Sequence, residues 1–597
     1  MSRVLPPRAL STGRVFAWAL VTILVVVFLG MVWIGVRGAL AYKHLERIQT
    51  GASESVATMT KDPSATASTL ASLAADAADA RNLTSDPIWA AAENLPWIGP
   101  QLAAFGTVAS SSDQLFRESL LPLAVAAKGL SIHSLEPVDG QIDTSALGTL
   151  VEPARAAGLK AAAAAEAAQD INRTPLLGVV DSAVGEATKQ FNAIAGAIDG
   201  LARTSQLLPA MLGQDGPRNY LLVVQNNAEW RSLGGITGTA ILVHTDKGAI
   251  TLVDTQSATG LVRDLVDPIV PLPTDVTQIY GTRPARYFHN LTQIPDFPVD
   301  GRIAREMYRS KTGVDVDGVL AVDPVVLSYV LKSIGPVKLP TGDTLTDSNA
   351  VQFLLNEVYL RYPDPATQDT VFASAAGAIF QGIIDGRGST EGLISALGRA
   401  SEERRLLIWS SDPDEQAVLD GTTIAGELPV TDARIARFGV FLNDGTGSKM
   451  SYYVKPEVTV TSSSCSSGPG EAERQLTLRV RLTNTAPTDA ATSLPPYITG
   501  EGAYGTSPGD AKVISNIYVP EGFTVESVYT DDGSSPGSGQ YKGLDVLTLE
   551  TTLTPGASAG FSVMVRSLAG PARSEALVTP TADASINPTV EASCGRN

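Results

Sequence analysis

The densest set of residues able to do chemistry is Gln225-Asn226-Asn227-Ala228-Glu229-Trp230-Arg231-Ser232-Leu233-Gly234-Gly235, directly after the apolar run Tyr220-Leu221-Leu222-Val223-Val224. Such a run reads as a strand buried on both faces. Ligands of open α/β sheets sit beyond the carboxyl ends of strands, and consecutive glycines allow close backbone approach. Asn226, Asn227, Glu229, Arg231, Gly234 and Gly235 are therefore candidates for a ligand site. The same residues fit a second reading equally well, in which Gly234-Gly235 only turns the chain and Glu229 pairs with Arg231 or Arg263 to fill a buried polar corner. Other chemistry finds less support. There is no G-x-S-x-G elbow, no G-x-x-x-x-G-K-[ST] loop, and no cysteine placed as a nucleophile. His44, His133, His244 and His289 lack the spacing of zinc ligands. Glu229, Asp254, Asp364 and Asp369 could converge as a carboxylate pair for glycoside hydrolysis, but spacing along the chain does not fix separation in space.

The elements that must position these residues are legible in the pattern. The chain reads as multidomain: a cytoplasmic tail (1–14), a transmembrane helix (15–36), an Ala-rich helical stalk or bundle (37–212), a central α/β domain (213–428) and a C-terminal all-β sandwich (429–597). Val15 to Val36 carries no charge and, as a helix rising 1.5 Å per residue, spans a hydrocarbon core of about 30 Å. Arg3, Arg8 and Arg14 precede it, so the positive-inside rule places the tail in the cytoplasm and the bulk of the chain outside. Arg37, Lys43 and Arg47 weaken that bias, and a cleaved signal peptide is the rival reading, but Trp33-Ile34-Gly35-Val36-Arg37 has no small-x-small cleavage pattern. Runs such as Lys160-Ala161-Ala162-Ala163-Ala164-Ala165-Glu166 favour helix, since alanine loses least entropy there, and prolines at 87, 96, 100, 122, 137 and 175 cut the stalk into several helices. Trp89, Trp97, Phe105, Phe116 and Leu120 read as packing between those helices rather than as a partner surface. Past Pro217, strands alternate with helices; past Val430, short strands separated by Gly/Ser/Pro clusters recur at sandwich spacing.

A net charge of −18 over 597 residues, with no concentrated basic face, argues against nucleic acid as a partner. The two cysteines, Cys465 and Cys594, both fall in the exported part, where an isolated pair is expected to form a disulfide.

The stretch Asn219 to Arg231 with Gly234-Gly235 resembles the signature of domain of unknown function family 4012, as do Val316-Asp317-Gly318-Val319-Leu320-Ala321-Val322-Asp323-Pro324, Gly335-Pro336-Val337 and Leu442 to Met450. The resemblance implies a membrane-anchored protein of bacterial envelopes and carries no established activity. More distantly, Gly318 to Val337 and Asn349 to Phe380, with Arg361, Asp364, Gln368 and Asp369, are similar to the LytR-CpsA-Psr phosphotransferases, which move polyprenyl-phosphate-linked glycopolymers to the cell wall. That likeness implies an arginine clamp on a pyrophosphate and a Mg²⁺ held by carboxylates. Arg231, Arg263, Arg283, Arg286 and Arg361 are the candidate cations and Asp254 and Asp264 the candidate metal ligands. The chain departs from the pattern where those enzymes carry further arginines: it has Gln368-Asp369 and then Val371-Phe372-Ala373. The expected role is binding of cell-wall glycopolymer or its lipid-linked precursor, with a Mg²⁺-dependent phosphotransferase and a structural scaffold for envelope proteins as alternatives. A transferase requires several arginines and a carboxylate in one cleft, a binder a cleft of aromatic and neutral polar groups, and a scaffold no deep cleft.

Overall fold

The computed structural model describes residues 7–58, 63–128, 135–138, 140–262, 264–463, 473–571, 573–586 and 589–594. Contacts divide the chain into two compact units, Met1–Ser131 with Ser145–Gln206, and Ile132–Thr144 with Leu207–Asn597.

The first unit is helical: α1 (Pro7–Thr58), α2 (Pro63–Leu83), α3 (Pro87–Ala92), α4 (Gly99–Asp113), a π-helical continuation Gln114–Leu120, α5 (Leu121–Ala126), α6 (Ser145–Gly148), α7 (Val151–Gln169) and the first part of α8 (Gly178–Met211). Within α1, Ala17–Gly51 is long and apolar enough to cross a membrane, and its most apolar window has no buried residue. Pairs of His44 and Arg47 with Asp76, at 2.6 and 2.8 Å, and of Arg37 with Asp86 at 2.9 Å show α2 running back along α1. Ala154, Ala157, Ala161, Ala164 and Ala168 form a small-residue stripe on α7 that packs with Leu115, Phe116 and Phe191. Trp89 and Phe116 are buried as expected, whereas Trp97 is not: it is 90 % exposed.

The second unit begins with β1 (Arg218–Arg231), β2 (Gly234–Asp246) and β3 (Ala249–Ser257), followed by α9 (Ala258–Leu261), α10 (Thr274–Tyr280), α11 (Phe297–Thr312), β4 (Gly318–Val322) and α12 (Pro324–Ile334). After a small hairpin, β5 (Val337–Lys338) with β6 (Thr344–Leu345), come α13 (Ala350–Gln352), α14 (Val358–Arg361), α15 (Pro365–Ile384), α16 (Thr390–Glu402) and β7 (Leu407–Ser410). The sheet order is β3-β2-β1-β4-β7, with β4 parallel to β1 and the other neighbours antiparallel. Gln141 and Ile142, expected in the stalk, instead meet the β2–β3 turn, where Gln141 bridges to Ala249 and the Ile142 amide donates to the Gly248 carbonyl at 2.9 Å. Gly248 has φ +83° and a Cβ there would lie 2.1 Å from the Ile142 oxygen, so this approach needs glycine.

Two further sheets follow. One has the order β12 (Thr524–Thr530), β15 (Ser558–Ser567), β10 (Arg474–Asn484), β9 (Val454–Ser462), β18 (Ser593–Cys594). The other runs β13 (Gly537–Tyr541), β14 (Leu544–Leu553), β11 (Ala511–Tyr518), β8 (Ile435–Asp444), β16 (Arg573–Val578), β17 (Thr589–Glu591). Val460, Leu478, Val480 and Val563 of the first interleave with Phe438, Val440, Val513 and Leu549 of the second in one core. The opposite face of the second sheet packs on the central domain, with Phe441, Tyr518, Tyr541 and Val546 in one apolar cluster with Val276, Phe288 and Ile303. The expected boundary at 428/429 is thus a change of element type without a break in the core. The expected Cys465–Cys594 bridge finds no support in the described structure, because Cys465 lies outside the described residues.

Candidate functional site

The residues from Gln225 to Arg231 do not follow the first strand; they are its second half. β1 pairs with β2 in register up to Val224 and Thr239, shifts by one residue, and then opens: Asn226 faces Ile236 and Trp230 faces Gly235, so Asn227, Ala228 and Glu229 bulge out of the ladder. A bulge re-aims side chains that a regular strand would point into the layer above or below. Gly234 has φ +139°, and a Cβ on Gly235 would come within 2.2 Å of the Asn226 carbonyl. The Gln225 side chain closes the gap by accepting from the Gly235 amide at 2.8 Å. The tandem glycines are there to let the hairpin close over the bulge.

The bulge delivers Glu229 to two cations. Arg231 donates to its Oε1 at 3.0 Å and Lys449, on the turn after β8, to its Oε2 at 2.5 Å. Glu229 is 5 % exposed and Arg231 and Lys449 8 % each. Burial opposes ionisation of Glu229, but the charges of Lys449 and Arg231 outweigh it and hold the carboxyl below its ordinary range. For Lys449 burial likewise favours the neutral form, and Glu229 reverses it, so its pKa lies above the usual value. The ammonium also sits over the rings of Tyr497 and Tyr359, at 5.4 and 5.9 Å from the centroids. Arg231 spends its remaining donors on Asn290 Oδ1, at 2.9 and 3.2 Å, and on the Trp230 carbonyl at 2.8 Å. Asp444 closes the group: it accepts from the amides of Thr446 and Gly447, and burial, with the Glu229 charge next, pushes its carboxyl up to about 6. The second reading of the sequence, Glu229 paired with Arg231 in a buried polar corner, describes this arrangement.

Asn227, fully buried, points the other way and donates to Asp323 Oδ2 and to the Pro580 carbonyl, both at 3.1 Å. Asp323 caps α12 by accepting from the Val326 amide at 3.0 Å and receives Arg405, also buried, at 2.5 Å. Arg405 reaches Glu403 at 2.9 Å, and Glu403 in turn accepts from the Tyr329 hydroxyl at 2.7 Å. Lys449, Asp444, Asp323, Asn290 and Arg405 were absent from the sequence candidates. Asp323 and the Asp444–Lys449 turn lie inside motifs that carried the family resemblance, which was the available signal; nothing local marks Arg405.

The other described candidate cations have neighbours of their own. Arg283 lies beside the exposed ring of Tyr504, 5.8 Å from its centroid. Arg286 pairs with Asp264 at 2.7 Å, and Tyr287 donates to the same Asp264 oxygen at 2.6 Å. Arg361 is 48 % exposed and pairs with Asp343 at 2.8 Å and with Glu357. Arg263 lies outside the described residues. Asp254 is exposed on β3, where it accepts from Gln256 at 2.5 Å. Asp364 caps α15 through the Thr367 amide, and Gln368 is buried, donating to the Tyr362 carbonyl. Asp369, half-buried and raised chiefly by that burial, bonds to Ser257 on β3. Among the described residues, the candidate guanidiniums are engaged by separate carboxylates: Arg231 by Glu229, Arg286 by Asp264, and Arg361 by Asp343 and Glu357. Among the described residues, no three His, Cys, Asp or Glu side chains are grouped to hold a metal ion.

What the bulge does border is an apolar cleft. Val224, Gln225 and Asn226 of β1 and Gly238 and Thr239 of β2 form its floor; Pro324 and Leu327 of α12, Leu354 and Leu355, and Phe372, Ala375 and Ala376 of α15 form its walls. It is partly open to solvent and has a cavity volume of about 40 Å³. The missing side chain of Gly238 leaves open floor, since a Cβ there would meet nothing nearer than 3.7 Å. Polar groups are few and neutral: Gln225, Asn226 and Thr239. Asn226 is oriented by the hydroxyl of Tyr359, to which its Nδ2 donates.

Residues 215–359 match the model of a family described as protein of unknown function (DUF4012), which bears out the resemblance read from the β1 signature. The match takes in the bulge, Asp323 and most of the cleft. No curated protein matches the chain.

Proposed function

We propose that this is a membrane-anchored, extracytoplasmic protein of the bacterial cell envelope that binds the hydrocarbon chain of a lipid-linked cell-wall glycopolymer precursor in the β1–β2/α12–α15 cleft, without turning it over. The cleft carries this reading: its walls are Leu327, Leu354, Leu355, Phe372 and alanines, its polar groups are neutral, and no arginine lines it. Burying such a chain is favourable by roughly 25 cal/mol per Å² of apolar surface removed from water. Gln225, Asn226 and Thr239 would orient a polar head where the chain enters, as a few placed polar groups do in apolar sites. Ala17–Gly51 supplies the anchor, and Arg3, Arg8 and Arg14 favour an exported orientation.

The test uses the full chain in lipid nanodiscs with a photoreactive polyprenyl phosphate, with and without Mg²⁺. Crosslinks are expected on the α12 and α15 peptides, independent of Mg²⁺, falling at least about tenfold in Ala376→Phe, which plugs the cleft, and unchanged in Leu397→Ser on the surface of α16. Labelling that ignores Ala376→Phe would refute the cleft as the site. Mg²⁺-dependent labelling lost in Arg231→Ala and Arg361→Ala would revive the phosphotransferase alternative.

A further inference from the structure

At one end of the helical unit the chain exposes large apolar side chains on two separate loops. Between α3 and α4 these are Leu95, Trp97 and Ile98, with Trp97 90 % exposed; at the start of α8 they are Leu177 and Val179, the latter 84 % exposed. The loops meet: Gln101 donates to the Pro175 carbonyl at 2.8 Å and accepts from the Leu177 amide at 3.0 Å. Trp97 is also held at φ +68°, a left-handed conformation that is strained for a non-glycine residue, with its side chain turned to solvent. Apolar residues scattered singly over a surface need no explanation, but a cluster drawn from two loops does.

The position of the cluster identifies what covers it. Arg37, the first charge after the apolar run of α1, donates to the Leu83 carbonyl at the end of α2 and pairs with Asp86 at 2.9 Å. Asp86 caps α3 by accepting from the Ile88 and Trp89 amides. Trp33 lies 5.2 Å beneath the Arg37 guanidinium, and Gly38 faces the buried Trp89. The α2–α3–α4 turn is therefore fixed at the level where α1 leaves its apolar stretch, within about 6 Å of rise from Trp33 to Arg37. Once α1 spans a bilayer, that turn lies at the headgroup level of the adjacent leaflet. Tryptophan is enriched at that depth, because its ring is amphipathic. Beside the second loop, Arg173 is neutralised by its pair with Asp181 at 2.5 Å.

We infer that Leu95, Trp97, Ile98, Leu177 and Val179 form a second, monotopic contact that seats the helical unit in the lipid interface next to α1. The contact works by apolar insertion, so it is insensitive to salt and to the fraction of anionic lipid. It prevents the bundle from swivelling about the exit of α1, since three points of attachment replace one. This inference is independent of the cleft.

It is tested on the full chain in phosphatidylcholine vesicles, with a fluorescent amino acid introduced at Trp97, at Val179, or at exposed Leu159 in the middle of α7 as a reference. Lipid carrying a nitroxide near the top of its acyl chain is expected to quench positions 97 and 179 at least about threefold more than 159, while aqueous iodide shows the reverse order. The pattern should hold at 0.5 M salt. Iodide quenching at 97 and 179 equal to that at 159 would overturn the inference. Protection from iodide without quenching by the lipid nitroxide would also overturn it, since protein, such as a second copy of the chain, would then cover the patch.

Discussion

Replacing Glu229 by glutamine tests whether the buried ion group is architecture or a ligand site. The substitution keeps the shape of the side chain and removes the one anion that both cations face. Arg231 retains Asn290 and the Trp230 carbonyl, so its loss is partial. Among the described residues, Lys449 retains the faces of Tyr497 and Tyr359, and such contacts are worth about 0.5–2 kcal/mol. Leaving a buried charge without its partner costs about 3–5 kcal/mol, so Glu229→Gln is expected to destabilise the second unit by that amount. Glu229→Met with Lys449→Met should recover much of it, a coupling of about 1–3 kcal/mol in a double-mutant cycle. Urea unfolding followed through buried Trp230, with amide exchange on β1, reads both. A cost below about 1 kcal/mol, or additivity in the cycle, would refute the structural role. If chain labelling in nanodiscs were lost at the same time, the group would be a site after all.

Asp300 is fully buried, and its carboxyl is raised well above the ordinary value by that burial and then by the Asp296 charge. A raised folded pKa gives stability that is complete below about 3.8 and declines as pH rises toward the folded pKa, each unit being about 1.4 kcal/mol. Asp300→Asn should therefore be neutral near pH 3.5 and stabilising by at least about 1 kcal/mol at pH 7; equal effects at both would contradict it. Arg361→Ala removes an exposed pair and is expected to cost under about 1 kcal/mol and to leave polyprenyl labelling unchanged; a tenfold loss of labelling would place Arg361 at the ligand. Cys465 lies outside the described residues, and the expectation that it pairs with Cys594 rests on the chain's having these two cysteines in its exported part. Non-reducing peptide mapping should find the two joined, with reduction costing up to about 4–5 kcal/mol by loop-closure entropy; alkylation of both thiols in unreduced protein would exclude the bridge.

Local signals carried the elements further than they carried the site. The apolar run at Tyr220, the α11 and α12 helices and most sandwich strands lie where periodicity and turn residues place them. The place of β8 in its sheet is not legible locally, although Phe438 to Leu442 is an apolar run, because its parallel partner β16 is supplied by the far end of the chain. The bulge at Asn227–Glu229 was illegible for a different reason: whether a strand continues or stops depends on the register of its neighbour, and β2 resumes pairing only at Gly235. Trp97 misled in the opposite direction, since a tryptophan among alanines reads as core, and only the α3–α4 geometry turns it outward.

The partition of charge in the central domain follows from desolvation. Glu229 with Arg231 and Lys449, and Asp323 with Arg405, form two buried ion groups, so a phosphate could recruit those cations only by displacing carboxylates already held in low dielectric. Such an exchange would leave Glu229 or Asp323 buried without a counterion, a penalty of several kcal/mol that a new pair must first recover. The cleft beside them carries no such debt: its walls are apolar and its few polar groups neutral. Asn226 belongs to both, for it closes one end of the bulge and lines the cleft, held by Tyr359. The charged residues therefore fix the shape of the bulge, the bulge fixes Asn226 and Gln225, and those two amides are what this domain offers to the head of whatever chain enters.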